Sequence, residues 1–174
     1  MALQETGEGS LVTKQGQSGD KEMRLVVFRI DEQRYGLYLP AVDRTLRAVR
    51  VTPLPHAPVI ILGVIDVAGR VIPVVNMRAR FGVAERDLRL GDALILARTP
   101  QRTVALAADT VEGLWEGPLR QMQSADSIFP DIPDLEGVAR MEDGLILIHD
   151  LALLLSLDEE KELDAAMTSA TPQR

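Results

Sequence analysis

The sequence predicts a mostly β fold written twice: two similar halves of about five short strands each, closed as a duplicated barrel or sandwich, with short helices and a C-terminal helix. Three observations carry this expectation. Residues 63–82, GVIDVAGRVIPVVNMRARFG, align without a gap on residues 137–155, GVARMEDGLILIHDLALLL, at a spacing of 74. Gly63 falls on Gly137, Val64 on Val138, Val71 on Leu145, Ile72 on Ile146, Asn76 on Asp150 and Met77 on Leu151. Residues 24–41 repeat at 92–109 with a spacing of 68, which sets Phe28 on Leu96 and Gln33-Arg34 on Gln101-Arg102. Finally, short apolar and β-branched runs alternate with turn residues along most of the chain. Halves of this size bury too little surface to stand alone, so they are expected to share an interface.

Residues 1–23 are rich in Gly, Gln, Ser and charge and have no apolar run to repay ordering, so they read as a flexible leader. RLVVFRI (24–30) and YGLYL (35–39) form a hairpin around DEQR. AVDRTLRAV (41–49) reads as a brief helix or an irregular strand entry. VTPLPHAP (51–58) holds three prolines and is a loop. VIILGVIDV (59–67) and RVIPVV (70–75) are a strand pair around Ala68-Gly69, with Pro73 arguing for an edge or a bulge.

The second half repeats the order. DALILART (92–99) and RTVALAAD (102–109) form a hairpin, VEGLWEGPL (111–119) a strand, and 121–134 a polar loop. HDLALLLSLDEEKELDAAM (149–167) ends the fold as a helix. The ordered region is one domain over 24–157, with halves at roughly 24–90 and 91–157 that are free to exchange strands. Residues 158–174 are an acidic helix end and flexible tail, and LDEEKELD (157–164) reads as a solvated helix face.

Charge and composition remove whole classes of function. The 174 residues carry 19 basic and 26 acidic side chains, a net −7, yet residues 24–157 are nearly balanced and hold no basic run. A surface that tracks nucleic-acid phosphates is therefore not expected. No apolar run reaches the ~20 residues of a membrane span. The first residues lack the pattern of a signal peptide, so a cytoplasmic protein is expected. The absence of cysteine excludes disulfides and thiolate metal sites.

The chemistry that remains is sparse. His56 lies in the proline loop and His149 at a strand end, in opposite halves, with no carboxylate cluster beside them. No nucleophile elbow, phosphate loop or dinucleotide motif occurs in the right setting. Asp109 and Glu112 do not stand out from exposed turn acids, and Trp115 reads as core filler. No catalytic residue, metal or cofactor is expected, which favours a binding module over an enzyme.

LVVFRIDEQRYGLYLPAV (25–42), TPLPHAPVIILGVIDVAGRVIPVVNMRARFG (52–82) and EGVARMEDGLILIHDLALLL (136–155) together resemble the CheW family of chemotaxis adaptors, in one collinear run over about 24–157. The most specific piece is the family block G-V-I-N-L-R-G-x-V-[IV]-P-[VI]-V-D-L-R-x-x-F-G. The resemblance implies two five-stranded SH3-like barrels packed on a common hydrophobic core. It also implies a non-enzymatic scaffold that bridges the cytoplasmic tip of methyl-accepting receptors and the adaptor-like regulatory domain of a chemotaxis histidine kinase, recruited to membrane-associated arrays without inserting in the membrane. Leu39, Val42 and Val104 match apolar positions of the receptor-binding groove, and Gly63 and Val64 match positions near the kinase and receptor contacts. Two positions depart from the family pattern. Arg44 stands where Glu is common and Ala68 where Arg is common, so D-V-A-G replaces N-L-R-G. Period-two alternation puts Asp66 on the face of Ala68, and an ion pair between Arg44 and Asp66 is expected in compensation. The alternatives are a divergent adaptor of another chemosensory pathway, such as surface motility or second-messenger control, with its own kinase, and, more remotely, a double barrel that binds a small molecule in a polar-lined cavity.

Overall fold

The computed structural model describes residues 21–131 and 134–170. The elements in chain order are β1 (Glu22–Ile30), β2 (Gln33–Tyr38), β3 (Val42–Arg47), β4 (Ile61–Val67), β5 (Arg70–Val75), α1 (Met77–Arg80), β6 (Ala93–Arg98), β7 (Thr103–Ala108), β8 (Thr110–Pro118), β9 (Met122–Ser124), β10 (Leu135–Met141), β11 (Gly144–His149) and α2 (Leu157–Ala170). They build two SH3-like barrels. Barrel A runs β8-β1-β2-β11-β10-β9 and barrel B runs β3-β6-β7-β5-β4. Barrel B is therefore one continuous stretch of chain, and the strands before and after it close barrel A. Each sequence half gives its first hairpin to one barrel and the rest of its strands to the other.

The spacing of 74 holds residue for residue. Gly63 pairs with Val74 and Ile65 with Ile72, and in barrel A Gly137 pairs with Ile148 and Ala139 with Ile146. Both pairs carry a bulge at the same place, between Ile61 and Gly63 and between Leu135 and Gly137. Both end in a side-chain cap: Asn76 Oδ1 accepts from the N–H of Ala79 (3.2 Å) and Asp150 Oδ1 from that of Ala152 (2.8 Å).

The spacing of 68 is off by one. Ile30 opposite Gln33 recurs as Thr99 bonded to Arg102 (2.8 Å), and the parallel contact of Ile148 with Gly36 recurs as Val74 with Ala105. The true offset is 69, so Phe28 corresponds to Ala97 and Gln33 to Arg102. A slip of one residue turns every side chain to the wrong face. With the corrected offset the two barrel interiors match: Leu25, Val27, Ala139, Ile146 and Ile148 in barrel A stand for Leu94, Leu96, Ile65, Ile72 and Val74 in barrel B. Between them lies the shared core, where Phe28, Ile30, Leu37, Val75, Met77, Ile95, Leu106 and Leu163 are fully buried. Each such side chain contributes about 1.5–3 kcal/mol on leaving water.

Some expectations change in detail. Strand β1 begins inside the expected leader, with Met23 3% exposed against the barrel A interior, while residues 1–20 lie outside the described residues. Residues 171–174 of the expected tail lie outside them too. The stretch 41–49 is a strand, β3, entered through a 3-10 turn at Leu39–Ala41. Strand β5 lies inside its sheet, between β4 and β7, not at an edge. Pro73 is tolerated because the pairing to β7 starts only at Val74, so its missing N–H faces no second neighbour. The loop at 121–134 contains the short strand β9, the counterpart of the single bridge between Thr52 and Val64. The last helix starts at Leu157, after a 3-10 turn at Leu151–Leu153, because Ser156 caps it: its Oγ accepts from Glu159 N–H at 3.1 Å. Its acidic face is solvated only in part. Glu160 is 8% exposed and accepts from Arg102, while Leu163 and Ala166 enter the shared core.

Candidate functional site

The crease between the barrels is held by arginines. Arg78, 8% exposed on α1, donates to Asp31 in the β1–β2 turn (2.7 Å) and to Asp109 at the β7–β8 junction (2.6 Å). Arg86 bonds Asp109 (2.8 Å) and, in a fork, the buried Asp92 (2.7 and 2.8 Å). The Arg78 guanidinium holds the Asp31 carboxyl below its ordinary range, and Arg86 does the same to Asp92. A second chain joins Arg29 and Arg34 to Glu112, and Arg34 to Asp143 (3.0 Å). Burial opposes ionisation of Glu112, yet the two arginines bring it low. A third cluster ties Arg80 to Asp134 (2.7 Å) and Glu159 (3.5 Å), and Arg102 joins Glu160 and Asp164 of α2. Asp109 and Glu112, read as ordinary turn acids, are thus ion-pair hubs.

Beside this crease lies an open cleft of about 320 Å³ lined by Tyr35, Arg80, Phe81, Leu147, His149 and Leu154 among others. Phe81, Tyr35 and His149 cluster, with the Phe81 ring centroid 4.2 Å from each of the others and Tyr35 5.6 Å from His149. His149 is 7% exposed, and burial pushes its imidazole down to about 4. Arg80 Nε is buried without a partner among the described residues. His56 sits far along the chain in its loop, exposed, at a φ of +65°. Among the described residues no group of three or more His, Asp or Glu is placed to hold a metal ion, and no helix is long and apolar enough to cross a membrane. Trp115 is half-buried on β8 and packs against the barrel A interior.

The eight residues singled out in the sequence separate by burial. Val104 is fully buried in the shared core, in one row across barrel B with Ala97 and Val42. Val42 is half-buried and packs on that core, and Leu39 is half-buried beside a hollow of about 510 Å³ bordered by residues 21–24, Tyr38, Pro40 and Leu119. The Tyr38 hydroxyl, pushed up to about 12 by burial and then by Glu136, donates to Glu136 at 3.1 Å. Gly63 is buried at a φ of +148°, and a Cβ there would meet Thr52 O at 2.2 Å; Val64 is half-buried against the shared core. Gly63 and Val104 therefore shape the surface from beneath and do not present a side chain to it.

Arg44, Asp66 and Ala68 are exposed, but the expected ion pair does not form. Among the described residues no carboxylate is within 4.0 Å of the Arg44 guanidinium. Arg44 lies on β3 and Asp66 on β4, the first and last strands of the barrel B sheet. The Asp66 carboxylate is instead occupied by its own turn, accepting from Gly69 N–H at 2.8 Å. Ala68 and Gly69 both have positive φ, +52° and +82°, as a two-residue hairpin turn requires.

The comparisons with known proteins agree with this architecture. A family model described as the CheW-like domain matches residues 24–159. The chain is 29% identical over 139 residues to the chemotaxis protein CheW of Rhizobium meliloti (strain 1021), covering 79% of this chain and 90% of that protein. It is 31% identical over 111 residues to protein FrzA of Myxococcus xanthus, covering 64% of this chain and 66% of that one. The crystal structure of the scaffolding protein TtCheW from Thermoanaerobacter tengcongensis matches with a TM-score of 0.72 at 26% identity, covering 79% of this chain and 94% of that chain. The family match takes in the strands of both barrels apart from the first two residues of β1, and the chain belongs to the CheW-like domain family.

Proposed function

We propose that this protein is a non-enzymatic scaffold adaptor that couples methyl-accepting chemotaxis receptors to a chemotaxis histidine kinase, acting in the cytoplasm at membrane-associated receptor arrays. The observation that supports this most is the match of the CheW-like domain over residues 24–159, which takes in both barrels. Two barrels fused on one core offer two separate surfaces at a fixed spacing, which is what a bridge between two partners needs. In this reading Leu39 and Val42 touch the receptor tip with Val104 packed behind them. Val64, seated by Gly63, belongs to the surface shared with the kinase's adaptor-like domain. Arg44, Ala68 and Asp66 set the charge that selects the partner, since mismatched charges at an interface cost several kcal/mol. No nucleic acid, cofactor or inserted membrane segment takes part.

Titration calorimetry with the regulatory domain of the co-encoded kinase and with a receptor-tip fragment tests the proposal. Binding of both, weakened by Arg44→Glu with Ala68→Arg, is expected. Absence of any binding up to about 1 mM refutes the coupling role, and unchanged receptor binding by the double variant refutes the charge assignment. The likeness to FrzA favours a second reading, an adaptor of a non-flagellar chemosensory pathway with its own kinase. The kinase and receptor genes beside this one distinguish the two.

A further inference from the structure

Barrel B carries a groove that none of the residues discussed above occupies. It is about 440 Å³ in volume and is lined by Ala48, Val49, Arg50 and Val51, by Leu62 of β4, and by Leu88, Arg89 and Leu90 ahead of β6. Its surface is apolar and open to water: Val49 is 47% exposed, Leu62 36% and Leu90 83%. Side chains of this size left in water around one hollow mark an interaction site more often than a fold requirement.

The walls are fixed. Val51 and Leu88 pack on the barrel B interior, and Ala48 N–H donates to Asp92 O at 2.9 Å. Asp92, 6% exposed and gripped by Arg86, accepts from Arg89 N–H at 2.7 Å, while Asp92 N–H returns a bond to Arg89 O at 3.0 Å. A groove held this way loses little freedom when it is filled.

Charge identifies the occupant. Arginines 24, 29, 34, 78, 80, 86, 98 and 102 are ion-paired. Arg44, Arg47, Arg50, Arg70, Arg89 and Arg140 are exposed and, among the described residues, in no ion pair; Arg89 adds only its field to Asp92. Two of these six line the groove, and Arg47 lies on β3 just before it. Glu85 and Asp87 are the exposed carboxylates nearby in the chain. The bias extends to the whole barrel: residues 42–109 hold ten arginines against six carboxylates, whereas residues 110–170 hold three basic and fourteen acidic side chains. An overall charge of −7 therefore conceals one basic barrel.

We propose that this groove docks an acidic amphipathic helix of a partner protein, its apolar residues at i, i+3 and i+4 over Val49, Leu62 and Leu90 and its carboxylates on Arg50 and Arg89. The concave shape suits a ridge of side chains and not the plane of a lipid surface.

The probe is a fluorescein-labelled helical peptide of about 18 residues, or five turns, with a Leu stripe and a Glu polar face. Its control has Lys in place of every Glu. Anisotropy with the full chain is expected to give a dissociation constant of about 10–100 µM for the acidic peptide alone, weakening as NaCl rises from about 0.05 to 0.5 M. Arg50→Ala with Arg89→Ala is expected to weaken it at least ~5-fold. Leu90→Ser, which removes only an exposed side chain, is expected to weaken it about threefold. Equal binding of both peptides, full affinity in the arginine variant, or no binding up to about 1 mM overturns the proposal. So does capture of the chain by phosphatidylglycerol vesicles but not by the peptide, or self-association that the same variants abolish. Receptor and kinase are absent from these measurements, so their outcome is separate from that of the adaptor reading.

Discussion

Lowering the pH should destabilise this protein through His149 before any carboxylate yields. The imidazole is 7% exposed, lies against Phe81 and near Tyr35, and its pKa is brought by burial from 6.5 to about 4. The unfolded chain therefore takes up the proton first as the pH falls. The contribution of neutral His149 is complete above about pH 6.5, declines through the interval, and is gone by about pH 4. A difference of about 2.5 pH units corresponds to about 3 kcal/mol, a large part of the 5–15 kcal/mol typical of a domain. For a chain of this length that is a fall of about 6–12 °C in Tm. Asp31, Asp92, Glu112 and Asp143 have depressed values, so they keep their contribution over that interval and surrender it only below about pH 4. Urea titrations of the parent and of His149→Phe, at steps from pH 7 to pH 4.5, separate the two effects. The parent should lose about 2–3 kcal/mol and the variant little, whatever their difference at pH 7. Parallel curves would refute the account of His149.

Three further outcomes are expected from the fold. Gly63→Ala should cost about 2–4 kcal/mol, because its Cβ meets the backbone oxygen of Thr52 at 2.2 Å, whereas Gly137→Ala, which meets the pliable Met122 side chain first and the Gln123 backbone oxygen only at 3.0 Å, should cost less, about 1–2 kcal/mol; chemical denaturation measures both. Ala68→Asn should raise stability by about 0.5–1 kcal/mol, since Asn accepts the left-handed conformation that Ala68 adopts, and a Tm that does not rise would contradict the turn assignment. Arg102→Ala leaves the buried Glu160 without its cation, at a cost of about 2 kcal/mol. Amide exchange should then quicken over residues 157–170 and not in the sheets.

The repeat at a spacing of 74 was legible because each copy carries a bulge glycine, an alternating strand pair and an Asx cap at fixed separations. The offset of the first hairpins was not. The strands ALILAR and TVALAA are buried on both faces, so they lack the alternation that would have exposed a slip of one residue. The ion pairs were equally hidden: Arg78 meets partners 47 and 31 residues away, and no local spacing announces such contacts. At Val104 groove and core both call for an apolar side chain, and only burial separates them. The Arg44–Asp66 pair failed since period two gives the face of a strand but not which strands lie side by side.

The continuity of barrel B, set inside the strands of barrel A, orders events during synthesis. The hairpin β1–β2 emerges first and waits for β8, about seventy residues later, on the order of ten seconds at ribosomal rates. Strands β3 to β7 emerge as one local set and can close on themselves in that interval. Phe28, Ile30 and Leu37 of the waiting hairpin belong to the shared core, so the finished barrel B offers them an apolar seat before barrel A exists. The nascent chain thus carries its own template, and an edge that would otherwise invite aggregation is sheltered until its own partners arrive.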